Sequence, residues 1–298
     1  MKYVTTLVAA FVIFLTACHS PEQAMMLPSV DNNVCKKLNG KVVIYAVFVD
    51  TKHTQPWSEY DIKSTLDSID KAKCWIEKRA KENGIGLSVD VQSHVNKKMV
   101  PISMDLPGKT LSGTLLSPTL QIGITRVNKW ADKVAKLAAQ SLKKETSEII
   151  KTKNTLRDRE RLIARVRDIN STDNVVLMYF INNYYKEELS VSIDCSSRTD
   201  VEYAVVSFKN PSVIAHEFLH IFGALDLYIS PFDSDRKNKR RKEMAMKMFP
   251  DEIMAFAYRS IDSLNVSPLT KYLIGWDNEL DKKYKDLLFG KKLKVAKY

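Results

Sequence analysis

Two histidines and a glutamate stand at a spacing that suits metal chemistry. His216 and His220 are four residues apart, so on a helix both side chains lie on one face, one turn apart. They can therefore hold one metal ion between them. Glu217 follows the first histidine and can reach a metal-bound water without binding the metal. Because Zn²⁺ lowers the pKa of such a water and a glutamate can take its proton, the pattern predicts metal-assisted hydrolysis.

The residues around this pattern indicate a buried helix. Asn210 is a good N-cap, and Pro211 is tolerated as the first helical residue. Gly223 permits the left-handed backbone that ends a helix, and the turn there would bring Asp226 back toward the metal. The plain alternative is a helix whose two histidines bind neighbouring groups, although burying two histidines and a glutamate without a metal is costly. The apolar positions are Val213, Ile214, Phe218, Leu219, Ile221 and Phe222.

A third zinc ligand must come from another residue type, because no histidine follows His220. A tetrahedral catalytic zinc takes three protein ligands and keeps one position open. Asp226 has the favoured spacing, but its side chain is shorter than histidine and its loop must approach the metal closely. The downstream carboxylates are Asp226, Asp233, Asp235, Glu243, Asp251 and Glu252.

The stretch 216–228 reads HExxHxxGxxDxY and resembles the metzincin clan of zinc peptidases. Its aspartate variant is similar to snapalysin and, more closely, to immune inhibitor A-like peptidases. Residues 251–255 (DEIMA) resemble the Met-turn segment of that family, and residues 267–276 resemble the helix ending in Gly-Trp that follows it. The resemblance implies an α+β zincin fold with a twisted mixed sheet, an active-site helix and a small C-terminal lobe.

The resemblance also implies roles for particular residues. Zn²⁺ would be held by His216, His220 and Asp226, while Glu217 would act as the general base. Met254 would form the apolar floor under the metal, whereas without the resemblance it would be an ordinary core methionine.

Two tyrosines and one strand complete the site that the resemblance implies. Tyr228 and Tyr258 are candidate oxyanion donors, with ordinary packing as the alternative. In the family, the strand before the active helix is an edge strand that pairs with extended substrate, and residues 202–208 hold that place here.

The start of the chain predicts export and lipid attachment. Lys2 and the apolar run 7–15 are typical of a signal peptide, and residues 15–18 (LTAC) resemble a bacterial lipobox. We therefore expect a signal peptide over 1–17, lipidated Cys18 and a tether over 18–40. An ordinary signal peptide or a short membrane anchor is the alternative. Because His19 is not the aspartate that often retains lipoproteins at the inner membrane, the outer membrane is favoured if the source is Gram-negative.

Charge and cysteine content narrow the partners further. The chain has 46 Lys and Arg against 35 Asp and Glu, a net charge of +11 that suits anionic surfaces or simply a solvated exterior. No nucleic-acid motif is present, so no nucleic-acid partner is expected.

Cys35, Cys74 and Cys195 allow one disulfide in three possible pairings, and Cys35 with Cys74 is the suggested one.

Hydrophobic patterning orders the rest of the chain. Buried strands are predicted at residues 41–50, 87–91, 174–181 and 202–208, and helices at 59–83 and 126–169. Residues 93–125 and 182–199 are predicted as loops or small hairpins. The basic insertion 229–250, with its charge run 233–242, reads as a flexible surface loop or as a cleft-rim element that selects acidic substrates. The lobes would be 41–224 and 225–298.

These patterns predict a lipid-anchored extracytoplasmic zinc endopeptidase whose partners are a protein or peptide substrate and, through the anchor, the membrane. A zinc amidase acting on cell-wall peptides is one alternative. A non-catalytic zinc-binding surface lipoprotein is the other.

Overall fold

A computed structural model describes most of the chain. The described residues are 37–95, 99–116, 118–142, 157–172, 174–182, 189–193, 202–207, 209–229 and 236–288. The predicted signal peptide, Cys18, Cys35 and Cys195 lie outside these ranges. Cys74 is exposed and has no disulfide partner among the described residues, so the cysteine pairing stays a prediction. Within the described ranges, no helix combines the length and the apolar character that a bilayer crossing requires.

A mixed sheet forms the centre of the molecule, in the order β2-β1-β4-β6-β5, and β3 pairs with the end of β1. Every pair is parallel except β5 with β6. The central strands β1 and β4 are almost wholly buried, which explains their near-continuous apolar sequence. The strands are β1 Gly40–Asp50, β2 Leu87–Ser93, β3 Ile102–Ser103, β4 Asn174–Ile181, β5 Val191–Ile193 and β6 Tyr203–Val206.

Helices connect the strands and follow the last of them. Their bounds are α1 Glu59–Glu82, α2 Leu111–Leu116, α3 Leu120–Ser141, α4 Asp158–Asn170, α5 Pro211–Ile221, α6 Arg236–Met248, α7 Ile253–Phe256, α8 Pro268–Leu273 and α9 Lys282–Leu288. Ser58 and Asp61 form a capping box that starts α1. A short 3₁₀ turn, Ile261–Ser263, lies between α7 and α8. The predicted α+β class with a mixed sheet is thereby confirmed.

The region 93–125 is more regular than predicted. It contains β3, α2 and the start of α3, which Thr119 caps by accepting a hydrogen bond from the backbone of Ile122. The two helices meet so closely that a Cβ on Gly123 would lie 2.1 Å from the backbone oxygen of Leu115. The prediction failed because Pro, Gly and Ser recur through this stretch and hide any helical period, while the apolar residues that hold α2 are few.

The prediction for the outer strand was also wrong. Residues 202–208 were expected to supply an edge strand, but β6 lies inside the sheet between β4 and β5. The outermost described strand on this side is β5, within a stretch predicted as polar loop. β5 has three residues, which is too short for alternation of apolar and polar positions to stand out.

The basic insertion 229–250 is not a flexible loop where it is described. Residues 236–248 form α6, which buries Ala245 and packs against α9. Phe249, just beyond the helix, contacts the ring of Tyr284 with the centroids 5.3 Å apart. The high charge of the segment concealed its helical pattern, since only one residue of the helix is buried.

The start of the described chain contacts the segment after α8. The backbone N–H of Leu38 donates to the carbonyl of Ile274 at 2.9 Å, and the indole of Trp276 donates to the carbonyl of Leu38 at 2.7 Å. Leu38 is fully buried, so the predicted tether 18–40 is already packed against the fold at this residue. The predicted lobe boundary at residue 224 falls in the loop after α5 and stays a prediction.

Candidate metal centre

The helix α5 carries the two histidines, and four residues separate it from the end of β6. It packs against α1, β6, β5 and α7. Pro211 occupies its first turn and Asn210 is the N-cap residue, as predicted, although the Asn210 side chain makes no capping hydrogen bond. Phe218 and Leu219 are fully buried, and each such side chain contributes about 1.5–3 kcal/mol relative to an exposed one. The helix is therefore fixed in the core on its apolar sides.

A tight turn follows the helix and returns the chain to it. Gly223 has φ +95°, in the left-handed region that favours glycine, and the carbonyl of Leu273 lies 3.3 Å from where its Cβ would be. Beyond the turn, the backbone N–H of Leu227 donates to the carbonyl of Met254 at 3.0 Å. This bond holds the loop so that Asp226 faces α5.

Three acceptor atoms meet at this point. The Nε2 atoms of His216 and His220 are 3.1 Å apart. Asp226 Oδ1 lies 3.2 Å from the first and 3.0 Å from the second. Among the described residues, these three form the one group of His, Cys, Asp or Glu side chains whose ligand atoms converge closely enough to hold a metal ion.

Backbone carbonyls fix the orientation of both imidazoles. His216 Nδ1 lies 3.2 Å from the carbonyl oxygen of Ile253, and His220 Nδ1 lies 2.8 Å from that of Ala224. A carbonyl only accepts, so each Nδ1 carries the hydrogen and each neutral ring turns the lone pair of Nε2 toward the cluster. Such outer partners are the usual means of orienting a metal-binding histidine.

The distances suit a tetrahedral ion. Bonds of about 2.0–2.1 Å to nitrogen and oxygen separate two ligand atoms at the tetrahedral angle by about 3.3 Å. The observed separations of 3.0 to 3.2 Å are only slightly shorter. Two nitrogen lone pairs and a carboxylate oxygen this close repel one another unless a cation lies between them, and the cation can be a metal ion or a proton.

The pKa values of the metal-free chain reflect the same crowding. Burial lowers the pKa of His220, but the charge and hydrogen bond of Asp226 outweigh it and raise that pKa to about 9. Burial acts on Asp226 in the opposite sense, yet the two histidines hold the pKa of this carboxyl well below its usual range. In the metal-free chain, the negative charge of Asp226 therefore favours the protonated form of His220.

Glu217 lies beside the three ligand atoms without joining them. It is 4% exposed, and burial raises its pKa while the charges of His220 and His216 and a hydrogen bond from Ser192 oppose the rise. Ser192 Oγ lies 2.7 Å from Glu217 Oε2 and 3.1 Å from the Glu217 carbonyl oxygen. The Oε1 atom has no hydrogen-bond partner among the described residues.

The predicted Met-turn segment contacts the site through its backbone, at Ile253 and Met254. Met254 is fully buried in α7, and the preceding residue supplies the carbonyl that orients His216. Glu252 is buried too, and its carboxylate accepts hydrogen bonds from the backbone N–H groups of Met254 and Ser267 and from the hydroxyl of Thr270. Glu252 therefore joins α7 to α8.

The two predicted tyrosines are placed differently. The ring centroid of Tyr228 lies 6.0 Å from that of His216, so this tyrosine borders the cluster. Tyr258 is 71% exposed, and its described contacts are with Phe256 and Arg259. Nothing among the described contacts joins Tyr258 to the cluster.

The rival carboxylates do not reach the cluster where they are described. Glu252 is engaged as above, Asp251 accepts a hydrogen bond from Asn265 at 2.9 Å, and Glu243 is exposed. Asp233 and Asp235 lie outside the described residues.

Sequence reasoning missed the serine that holds Glu217 and the two carbonyls that orient the histidines. Carbonyls carry no sequence signal, and Ser192 is one polar residue between Val191 and Ile193.

The chain matches no protein-family model, and no curated protein or solved structure is significantly similar to it. The chemistry of the site therefore has to be inferred from its own residues.

Proposed function

We propose that the chain is a zinc-dependent endopeptidase with a metzincin-like zincin fold. The observation that carries the proposal is the convergence of His216 Nε2, His220 Nε2 and Asp226 Oδ1 within 3.0 to 3.2 Å of one another, beside the buried Glu217. Two histidines with one carboxylate form a ligand set of catalytic zinc.

The zincin fold is supported by the placement of the helix. α5 lies next to β5, the antiparallel and outermost described strand on its side of an otherwise parallel sheet. An extended peptide can add to such a strand through main-chain hydrogen bonds, which would lay a peptide bond beside the cluster.

The proposed chemistry divides between the ion and the chain. Bound Zn²⁺ would lower the pKa of a water molecule and polarise the carbonyl of the bond to be cleaved. Glu217 takes the proton of the attacking water on Oε1 and passes it to the leaving amine. Ser192 holds Oε2, so the carboxylate has one orientation.

The proposal includes a place for the protein in the cell. The LTAC sequence at residues 15–18 supports lipid attachment at Cys18, and the enzyme would then act at the cell envelope, at the outer membrane in a Gram-negative source. Its partners are protein or peptide substrates and, through the anchor, the membrane.

A substrate panel tests the activity. The full chain is incubated with casein and with a cell-wall peptide, each with and without a zinc chelator. We expect casein fragments that disappear with the chelator and return when zinc is added. Cleavage of the cell-wall peptide alone would indicate an amidase, and a zinc-loaded chain that cleaves neither would be a non-catalytic lipoprotein.

A further inference from the structure

The helix α6 carries a strong single-sign charge. Its 13 residues include seven Lys or Arg and one Glu. Several of the positive residues are spaced three or four apart, where like charges destabilise a helix. The basic residues are Arg236, Lys237, Lys239, Arg240, Arg241, Lys242 and Lys247.

Contacts on one side hold this helix in place, and most of its charged side chains are exposed to solvent. Ala245 is 1% exposed, and α6 packs against α9. Arg236, Lys239 and Arg240 are exposed, and within the described ranges none of the three forms an ion pair. The result is an ordered positive surface without a compensating acid on the same helix other than Glu243.

One aromatic ring connects this positive surface with the metal centre. Lys242 Nζ lies 5.9 Å from the ring centroid of Tyr228. The same ring lies 6.0 Å from that of His216. At physiological salt, charges act over about 8 Å before screening, so the charge of Lys242 acts on a ligand bound beside the Tyr228 ring.

We propose that α6 is the specificity element of the enzyme and that it selects peptide substrates with Asp or Glu next to the cleaved bond. The inference rests on the proposed peptidase function and adds the substrate class to it. An acidic side chain near the cluster gains the field of the helix, whereas a basic one is repelled. Guanidinium donors at exposed positions of the helix, such as Arg240, can add direct contacts to a carboxylate.

Binding without turnover tests the inference separately from catalysis. The probe is a fluorescein-labelled peptide of alternating Glu and Ala, and its counterpart has Gln in place of each Glu. Both are titrated against the full zinc-loaded chain carrying Glu217→Ala, which removes the general base. We expect the Glu peptide to bind about tenfold more tightly at about 0.05 M salt, with the preference nearly lost at about 0.5 M.

Two charge reversals place the effect on the helix. Lys239→Glu with Arg240→Glu should abolish the preference for the Glu peptide. Lys71→Glu with Lys78→Glu on α1 is the matched control, since it changes the net charge equally at exposed positions elsewhere, and it should keep most of the preference.

The outcomes are distinct. Equal binding of both peptides, or a preference that survives the α6 reversal, overturns the inference even if casein is cleaved. Failure to cleave casein contradicts the proposed function and leaves the binding result to be judged on its own. Vesicles containing phosphatidylglycerol form the last arm: if the α6 reversal abolishes vesicle binding but leaves the peptide preference intact, the helix contacts lipid and the inference is wrong.

Discussion

At the residue scale, the site depends on how three acceptor atoms are aimed. Ile253 and Ala224 each hold one imidazole through Nδ1, so both Nε2 atoms face Asp226. The carboxylate completes the group because the Gly223 turn and the Leu227–Met254 hydrogen bond set the path of its loop. Loss of any one of the three side chains should therefore leave two ligand atoms, which are too few for tight zinc binding.

The first prediction concerns Asp226. Asp226→Ala should lose most bound zinc because, among the described residues, Asp226 supplies the one carboxylate of the ligand group. Zinc content after gel filtration measures the effect, and circular dichroism checks the fold. Asp233→Ala and Glu243→Ala are matched controls that should keep about one zinc per chain. Full zinc in a folded Asp226→Ala would give the ligand role to another carboxylate.

The second prediction concerns Ser192 as a positioning residue. Ser192→Ala removes the hydrogen bond to Glu217 Oε2, and a bond to a charged group contributes about 1.5–3 kcal/mol. We expect kcat for casein peptides to fall about 10- to 100-fold with little change in KM or zinc content. Ser192→Thr keeps the hydroxyl and should recover much of the rate. A loss that Thr does not rescue, or a change in KM alone, would argue against positioning.

At the element scale, the short helices α7 and α8 hold the segment that orients His216. Glu252 binds backbone N–H groups at the starts of both helices, and Ile253 beside it orients His216. Burial raises the pKa of this carboxyl, while the hydrogen bonds it accepts partly offset that effect. The acid therefore connects the packing of two short helices with the candidate metal centre.

The third prediction concerns this acid. Glu252→Ala leaves three buried donors without their acceptor, and each costs about 1–3 kcal/mol, so the free energy of unfolding should fall by roughly 3 kcal/mol or more. Urea denaturation measures it. Asp251→Ala, at the exposed neighbouring carboxylate, should change stability by less than about 0.5 kcal/mol. Equal effects of the two changes on the free energy of unfolding would show that the hydrogen bonds of Glu252 do not stabilise the fold.

The elements also show which parts of the fold can be predicted from the sequence. Strands β1 and β4 and helices α1 and α5 follow from long apolar patterns, caps and the Gly223 turn, because burial on one or both faces dictates residue type at many positions. β5 and α6 could not be predicted from the sequence. The three residues of β5 are too few to show a periodic pattern, and α6 buries a single alanine among many charged residues. The ligand triplet follows from spacing, whereas Ser192 and the orienting carbonyls depend on tertiary packing.

At the scale of the whole molecule, the start of the described chain packs against the segment after α8. Leu38 forms backbone contacts there with Ile274 and with the indole of Trp276. A lipid at Cys18 would leave residues 19–36 to span the distance to the membrane. Those residues lie outside the described ranges, and attachment is therefore tested by partition.

The fourth prediction concerns that attachment. Cys18→Ser removes the thiol to which a lipid would be joined at the LTAC sequence. We expect the wild-type chain in the membrane fraction and the detergent phase, and the variant either in the aqueous phase or as unprocessed precursor. Cys74→Ser is the matched control and should partition like the wild type. Identical partition of Cys18→Ser and wild type would rule out the lipid anchor.

The most direct test of the central claim measures zinc and cleavage on the same preparations of wild type and Glu217→Ala. His216, His220 and Asp226 are unchanged in the variant, so both proteins should hold about one zinc per chain. Because general-base catalysis supplies about 10²–10⁴-fold in rate, casein cleavage by the variant should fall by at least that order. A wild-type chain without zinc, or a zinc-loaded Glu217→Ala that cleaves casein at the wild-type rate, would contradict the claim.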